Sequence, residues 1–186
     1  MLWTPRIHFA GLLDFPDERG ETRSQGPVVG LAVDLFGSES PEHLILNLKR
    51  ALVDGHLPQR RGEMLMSTDL ASTLGVRPGD TATLISSTMS GAMALANFTV
   101  AGTIRFGVTA MDRGAVLADI QDIQDALDME DAAGEILGFS KDFVYREKEA
   151  DLVARQFNSK DWGEEVKVHK GMEDESGREI ESQSKK

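Results

Sequence analysis

The sequence predicts an α+β fold, and three observations carry that prediction. Its 186 residues have room for one ordinary domain or two small lobes sharing a core. Apolar residues make up 40 % and charged residues 27 %, the balance of a folded, soluble chain. Hydrophobic periodicity marks about eight short strands and four helices that do not alternate strictly, which argues against a doubly wound parallel sheet.

Arg6 to Leu13 reads as a strand with Ile7 and Phe9 inward and His8 outward. Asp14 to Gly26, rich in charge and holding Pro16 and Gly20, reads as an exposed hairpin or loop, and Pro27 to Leu35 as the return strand. Ser40-Pro41-Glu42 supplies helix-start signals, Ile45, Leu48 and Leu52 share a face, and Gly55 is a stop. Glu63 to Met66 is a short strand. Ser67 caps a helix stacking Leu70 on Leu74, which Gly75 ends. Strands follow at Thr81 to Ile85 and Phe98 to Phe106, with Ser86 to Asn97 as a loop between them. Asp112-Arg113-Gly114 reads as a turn into the strand Ala115 to Leu117, after which Asp119 caps a helix facing inward through Ile120, Ile123 and Leu127. Glu135 to Phe139 is strand-like, Ala150, Val153, Ala154 and Phe157 mark an amphipathic helix, and Val166 and Val168 a last strand. From residue 170 onward apolar density is lost, the composition of a disordered tail.

Charge and composition exclude several functions. The formal net charge of −11 would be repelled by a phosphate backbone, so no nucleic-acid partner is expected, and a basic patch for anionic lipid is equally disfavoured. With no cysteine, thiolate metal sites, iron–sulfur clusters and cysteine nucleophiles are impossible. Thr81 to Ile104 is uncharged and long enough to span a membrane, but nine of its positions are Ser, Thr or Asn and its ends alternate as strands do. The N-terminus lacks the basic start and apolar run of a signal peptide.

No catalytic constellation emerges. His8, His43, His56 and His169 are scattered. Met89-Ser90-Gly91 lacks the first glycine of a nucleophile elbow. Asp119, Asp122, Asp125 and Asp128 recur every third residue, the pattern of a solvated helix stripe, and the run after Asp128 does not supply a calcium loop. No glycine-rich phosphate loop is present. These readings predict a non-enzymatic chain with no cofactor and no metal.

A resemblance is more specific. The segment Glu63 to Ile85, with Leu70-Ala71, Leu74-Gly75-Val76 and Gly79-Asp80 between two strands, resembles a pattern in ABC-transporter permeases of the MacB and LolC/LolE kind. Phe98 to Gly107 is similar to their following strand, and Asp112 to Leu127 to their next strand and helix. Pro5 to Leu13 and Val28 to Asp34 match upstream segments in the same order. The resemblance implies a two-lobed α+β architecture: a ferredoxin-like porter-type lobe from residues 2–52 and 135–169, interrupted by a smaller β-rich sabre-type lobe at 53–134. The membrane helices that flank this domain in such permeases have no counterpart in the sequence, as expected of a piece of a longer protein. Those permeases also carry a helix and a strand ahead of the segment matching Arg6.

What the resemblance implies about function is a non-catalytic domain on the extracytoplasmic (periplasmic) face of the bacterial inner membrane. It would engage substrate or a partner protein and couple ATP-driven motion of the membrane helices to export or lipoprotein release. The implied partners are a separate ABC ATPase subunit, acting through the membrane helices of a dimeric permease, and a periplasmic carrier, lipoprotein or peptide cargo. The alternative within the same resemblance is an FtsX-like module that activates a cell-wall hydrolase. In LolC-like proteins the connection matching Ser86 to Asn97 is a protruding hook for a carrier protein. Here it is charge-free and holds Met89, Met93 and Leu95, the candidate partner contacts. The competing expectation is that these three side chains fold back onto the second lobe.

Overall fold

The structure, a computed structural model, describes residues 1–160. Within them two compact units separate, Leu2–Gly138 and a smaller one that takes up the chain from Phe139. The expected last strand at Val166 and Val168 and the tail from residue 170 lie outside the described residues.

Six strands of the larger unit close into a barrel. They are β1 (Leu2–Pro16), β2 (Thr22–Val33), β4 (Glu63–Ser67), β5 (Thr81–Ser87), β6 (Met93–Ile104) and β7 (Ala115–Asp119). Each is hydrogen-bonded on both sides around the ring β2-β7-β4-β6-β5-β1, and β1 pairs with β2 to close it. Two further strands add to the outside: β3 (Leu52–Gly55) on β6 and β8 (Glu135–Phe139) on β1. The short helices are α1 (Glu42–Ile45), α2 (Leu48–Ala51), α3 (Thr68–Leu74), α4 (Thr109–Gly114) and α5 (Ile120–Leu127).

This overturns the two-lobed, ferredoxin-like expectation. A ferredoxin-like lobe needs an open sheet with helices packed on one face. Here β1 and β2, assigned to the porter-type lobe, are staves of the same barrel as β4 to β7. The physical reason lies in pairing: β2 runs parallel to β7, with Leu31 opposite Leu117, and β4 parallel to β6, with Met66 opposite Thr103. Those two long-range ladders join the halves that sequence order separates. Closure also leaves no unpaired edge among the six staves.

The register is symmetric. β4 and β7 pair as Met64 with Ala118, Leu65 with Leu117 and Met66 with Val116. Across the barrel, β1 and β5 pair as Leu12 with Ile85, Leu13 with Leu84 and Asp14 with Thr83. Exchanging the two halves maps each set onto itself. Each half is a hairpin followed by a third strand and a helix (β1, β2, β4, α3 and β5, β6, β7, α5), and each third strand slots beside the second strand of the other half.

Alternation fills the interior. Ile7, Phe9, Leu13 and Phe15 of β1 meet Val28, Met64, Met66, Leu84, Phe98, Val100 and Val116, while Leu70 of α3 and Ile123 and Leu127 of α5 join the same cluster. The opposite faces of β4 and β7 are covered too: Leu65 and Leu117 pack with Leu48, Val33 and Ile104 in a second cluster. Burial on both faces explains why these two strands read as continuous apolar runs. Phe9 lies directly across from Gly30, where a Cβ would fall 2.0 Å from the ring.

Several boundaries differ from the sequence reading. The helix expected through Ile45, Leu48 and Leu52 breaks at Asn47, whose left-handed φ of 48° splits it into α1 and α2. Gly55 is no helix stop; it sits in β3 against β6, where a Cβ would fall 2.3 Å from the Ala101 carbonyl oxygen. Thr109 to Gly114 forms α4 rather than a turn. The smaller unit holds α6 (Glu147–Asn158), on the expected periodicity, with Arg146 paired to Asp142 ahead of it.

Candidate functional site

The connection between β5 and β6 is a hairpin with a tight tip, not a long loop. Thr81 to Ser87 pairs with Met93 to Thr99 in unbroken register, so only residues 88–92 turn. The alternation of large and small residues in Met93-Ala94-Leu95-Ala96 sets the strand: Ala94 faces the interior, while Met93 and Leu95 face out. Side chains of Met89, Met93 and Leu95 do not fold back. They are 69 %, 76 % and 62 % exposed.

The symmetry supplies an internal comparison. At the tip between β1 and β2, the Gly20 N–H donates to the Asp17 carbonyl (3.0 Å) and the Asp17 N–H to the Glu21 carbonyl (2.7 Å). Between β5 and β6, the Gly91 N–H donates to the Thr88 carbonyl (3.0 Å) and the Thr88 N–H to the Ala92 carbonyl (2.8 Å). Both tips are tied again by a side chain: Asp17 Oδ1 accepts from the Glu21 N–H, and Thr88 Oγ1 from the Ala92 N–H. Both glycines take positive φ, 80° at Gly20 and 83° at Gly91. One backbone turn is therefore built twice. In the first copy the positions equivalent to Met89, Met93 and Leu95 are Glu18, Thr22 and Gln25. The turn does not require apolar side chains, and the second hairpin carries them on its exposed surface all the same.

The apolar tip is anchored next to acid. The Met89 N–H donates to the Leu127 carbonyl (3.0 Å) at the end of α5, and the exposed Asp128 follows with a left-handed φ of 57°. Beside β6 lies an open depression of about 250 Å³ lined by Leu95, Phe98, Arg61, Asp122 and Asp125. Arg61 Nε donates to Asp122 (2.8 Å) and its guanidinium also reaches Asp125. The Gly62 N–H donates to the other Asp122 oxygen (2.7 Å). Hydrogen bonds to Asp125 and Asp122 raise the Arg61 pKa further above its ordinary range. Asp122 and Asp125 thus share one guanidinium beside Leu95, and Asp128 follows directly on the residue that pins Met89.

The aspartate series is not the uniform solvated stripe its spacing predicts. Asp119 is 2 % exposed; its carboxylate accepts from the Gln121 N–H as the α5 cap and from the Leu35 N–H. Burial raises its pKa, against the opposing pull of those two N–H groups. Ser90 is bonded to Thr88 at the hairpin tip. His8 meets Glu135, His43 the Leu35 carbonyl and His56 the Leu57 carbonyl, while His169 lies outside the described residues. Among the described residues, no group of three metal-ligating side chains forms, and no helix is long and apolar enough to cross a membrane. The uncharged stretch from Thr81 to Ile104 supplies β5 and β6.

One buried polar group escaped sequence reasoning. Glu42 is fully buried and accepts from Thr4 Oγ1 (2.8 Å) and from two nitrogens of Arg6 (2.9 and 2.8 Å). No spacing rule marks it, because its partners lie more than thirty positions away on β1. It fastens α1 to the barrel and is structural. No protein-family model and no curated protein matches this chain.

Proposed function

We propose that this chain is the non-catalytic extracytoplasmic domain of an ABC-transporter permease, resembling those of the MacB and LolC/LolE kind. Its β5–β6 hairpin is the surface that engages a partner protein. The observation that carries the reading is the second hairpin itself: an apolar, exposed tip on a backbone whose twin is charged. The ordered series of family-like segments supports it as well, because those segments fall on β1, β2, β4-α3-β5, β6 and α4-β7-α5. ATP is hydrolysed by a separate subunit, and the domain passes the motion of the membrane helices to its partner or cargo on the periplasmic face of the inner membrane.

The test is co-purification of the full-length protein with an ABC ATPase subunit from its own cells, together with a thermal-shift assay of the isolated chain against nucleotides. The expected result is a stable complex and no shift. A reproducible nucleotide-dependent shift of the isolated chain contradicts the reading. Replacing Met89, Met93 and Leu95 together by serine should change folding stability by less than about 1 kcal/mol, since all three are exposed. Denaturant unfolding of the triple variant measures this.

A further inference from the structure

We infer that the β5–β6 hairpin binds a protein partner presenting an apolar face with a cationic rim, an inference that rests on the hairpin being a partner contact. The apolar element is fixed: Met89, Met93 and Leu95 stand out from a tip that is hydrogen-bonded to itself and pinned to the Leu127 carbonyl. Methionine is unbranched and polarizable, suited to packing on an irregular apolar surface. A tip held rigid before binding loses little entropy on docking.

The rim follows from charge. Leu95 shares its depression with Asp122 and Asp125, and Met89 abuts the residue preceding Asp128. Arg61, the cation lining that depression, is already engaged by Asp122 and Asp125. Beyond Asp128 the exposed chain adds Glu130 and Asp131 before turning toward β8. The border holds more carboxylates than Arg61 neutralises, and a partner that buries the tip compensates that surplus with Lys or Arg at its rim. An acidic partner is repelled, and so is an anionic membrane.

The probe is a pair of amphipathic helical peptides of about 18 residues, one Leu/Lys and one Leu/Glu, titrated against the whole chain by fluorescence anisotropy. The Leu/Lys peptide should bind and the Leu/Glu peptide should not. Serine at Met89, Met93 and Leu95 should weaken binding about tenfold or more. Asp125→Asn with Asp128→Asn should weaken it several-fold and flatten its salt dependence. Glu18→Gln with Glu21→Gln, at the twin tip, should leave it unchanged. Thermal midpoints of every variant show that each remains folded. Equal loss on neutralising the twin tip would mean diffuse attraction to an acidic protein and overturn the inference. Binding of the Leu/Glu peptide, binding of neither peptide, or preferential sedimentation with phosphatidylglycerol-containing vesicles would each overturn it too. Failure here leaves co-purification with the ATPase intact, so the two readings fail separately.

Discussion

At Gly30 the barrel interior leaves no room for a single methyl group, because the Phe9 ring occupies that space. Gly30→Ala should therefore lower stability by about 2 to 3 kcal/mol, read from the denaturant midpoint, since the ring can move only by disturbing its neighbours. Removing the guanidinium with Arg6→Ala leaves Glu42 buried and should cost about 3 to 5 kcal/mol. Asp119 makes a prediction in pH. Burial raises its folded pKa above the ordinary 3.8, so the native state holds its proton longer than the unfolded chain. Its contribution is therefore fullest below that value and declines as pH rises through the raised one. Asp119→Ser keeps a helix cap and removes the carboxylate. The stability gap between wild type and variant should be widest in acid and narrow as pH rises. A gap that widens with pH contradicts the assignment.

Elements were legible where a local signal fixes them. Asp119 ahead of Ile120, Ile123 and Leu127 gives α5 its start and its face, and Gly75 ends α3 in a left-handed conformation, as its place after Leu74 predicts. The β5–β6 connection was only half legible. Its composition pointed to Met89, Met93 and Leu95, but Met93-Ala94-Leu95-Ala96 continues the strand period, and the turn shrinks to residues 88–92. Asn47 shows a limit of another kind: a single left-handed residue splits a helix whose apolar spacing is continuous. The acid border of the hairpin was hidden because the clasp joins Arg61 to residues far along the chain, Asp122 and Asp125.

At the scale of the molecule, local periodicity cannot report that a sheet closes. The parallel pairings of β2 with β7 and of β4 with β6 are set by long-range burial, with Leu65 and Leu117 covered on the outer face and Met64 and Val116 on the inner. Two equivalent halves then present two equivalent tips, and only one is apolar. On the proposed function, this difference serves binding and not folding. Exchanging the tip chemistry separates the two: Met89→Glu, Met93→Thr and Leu95→Gln give the second hairpin the residues of the first. The unfolding free energy should stay within about 1 kcal/mol of wild type while Leu/Lys-peptide binding is lost in the same preparation. A fall of several kcal/mol, or binding that survives the exchange, would contradict that reading.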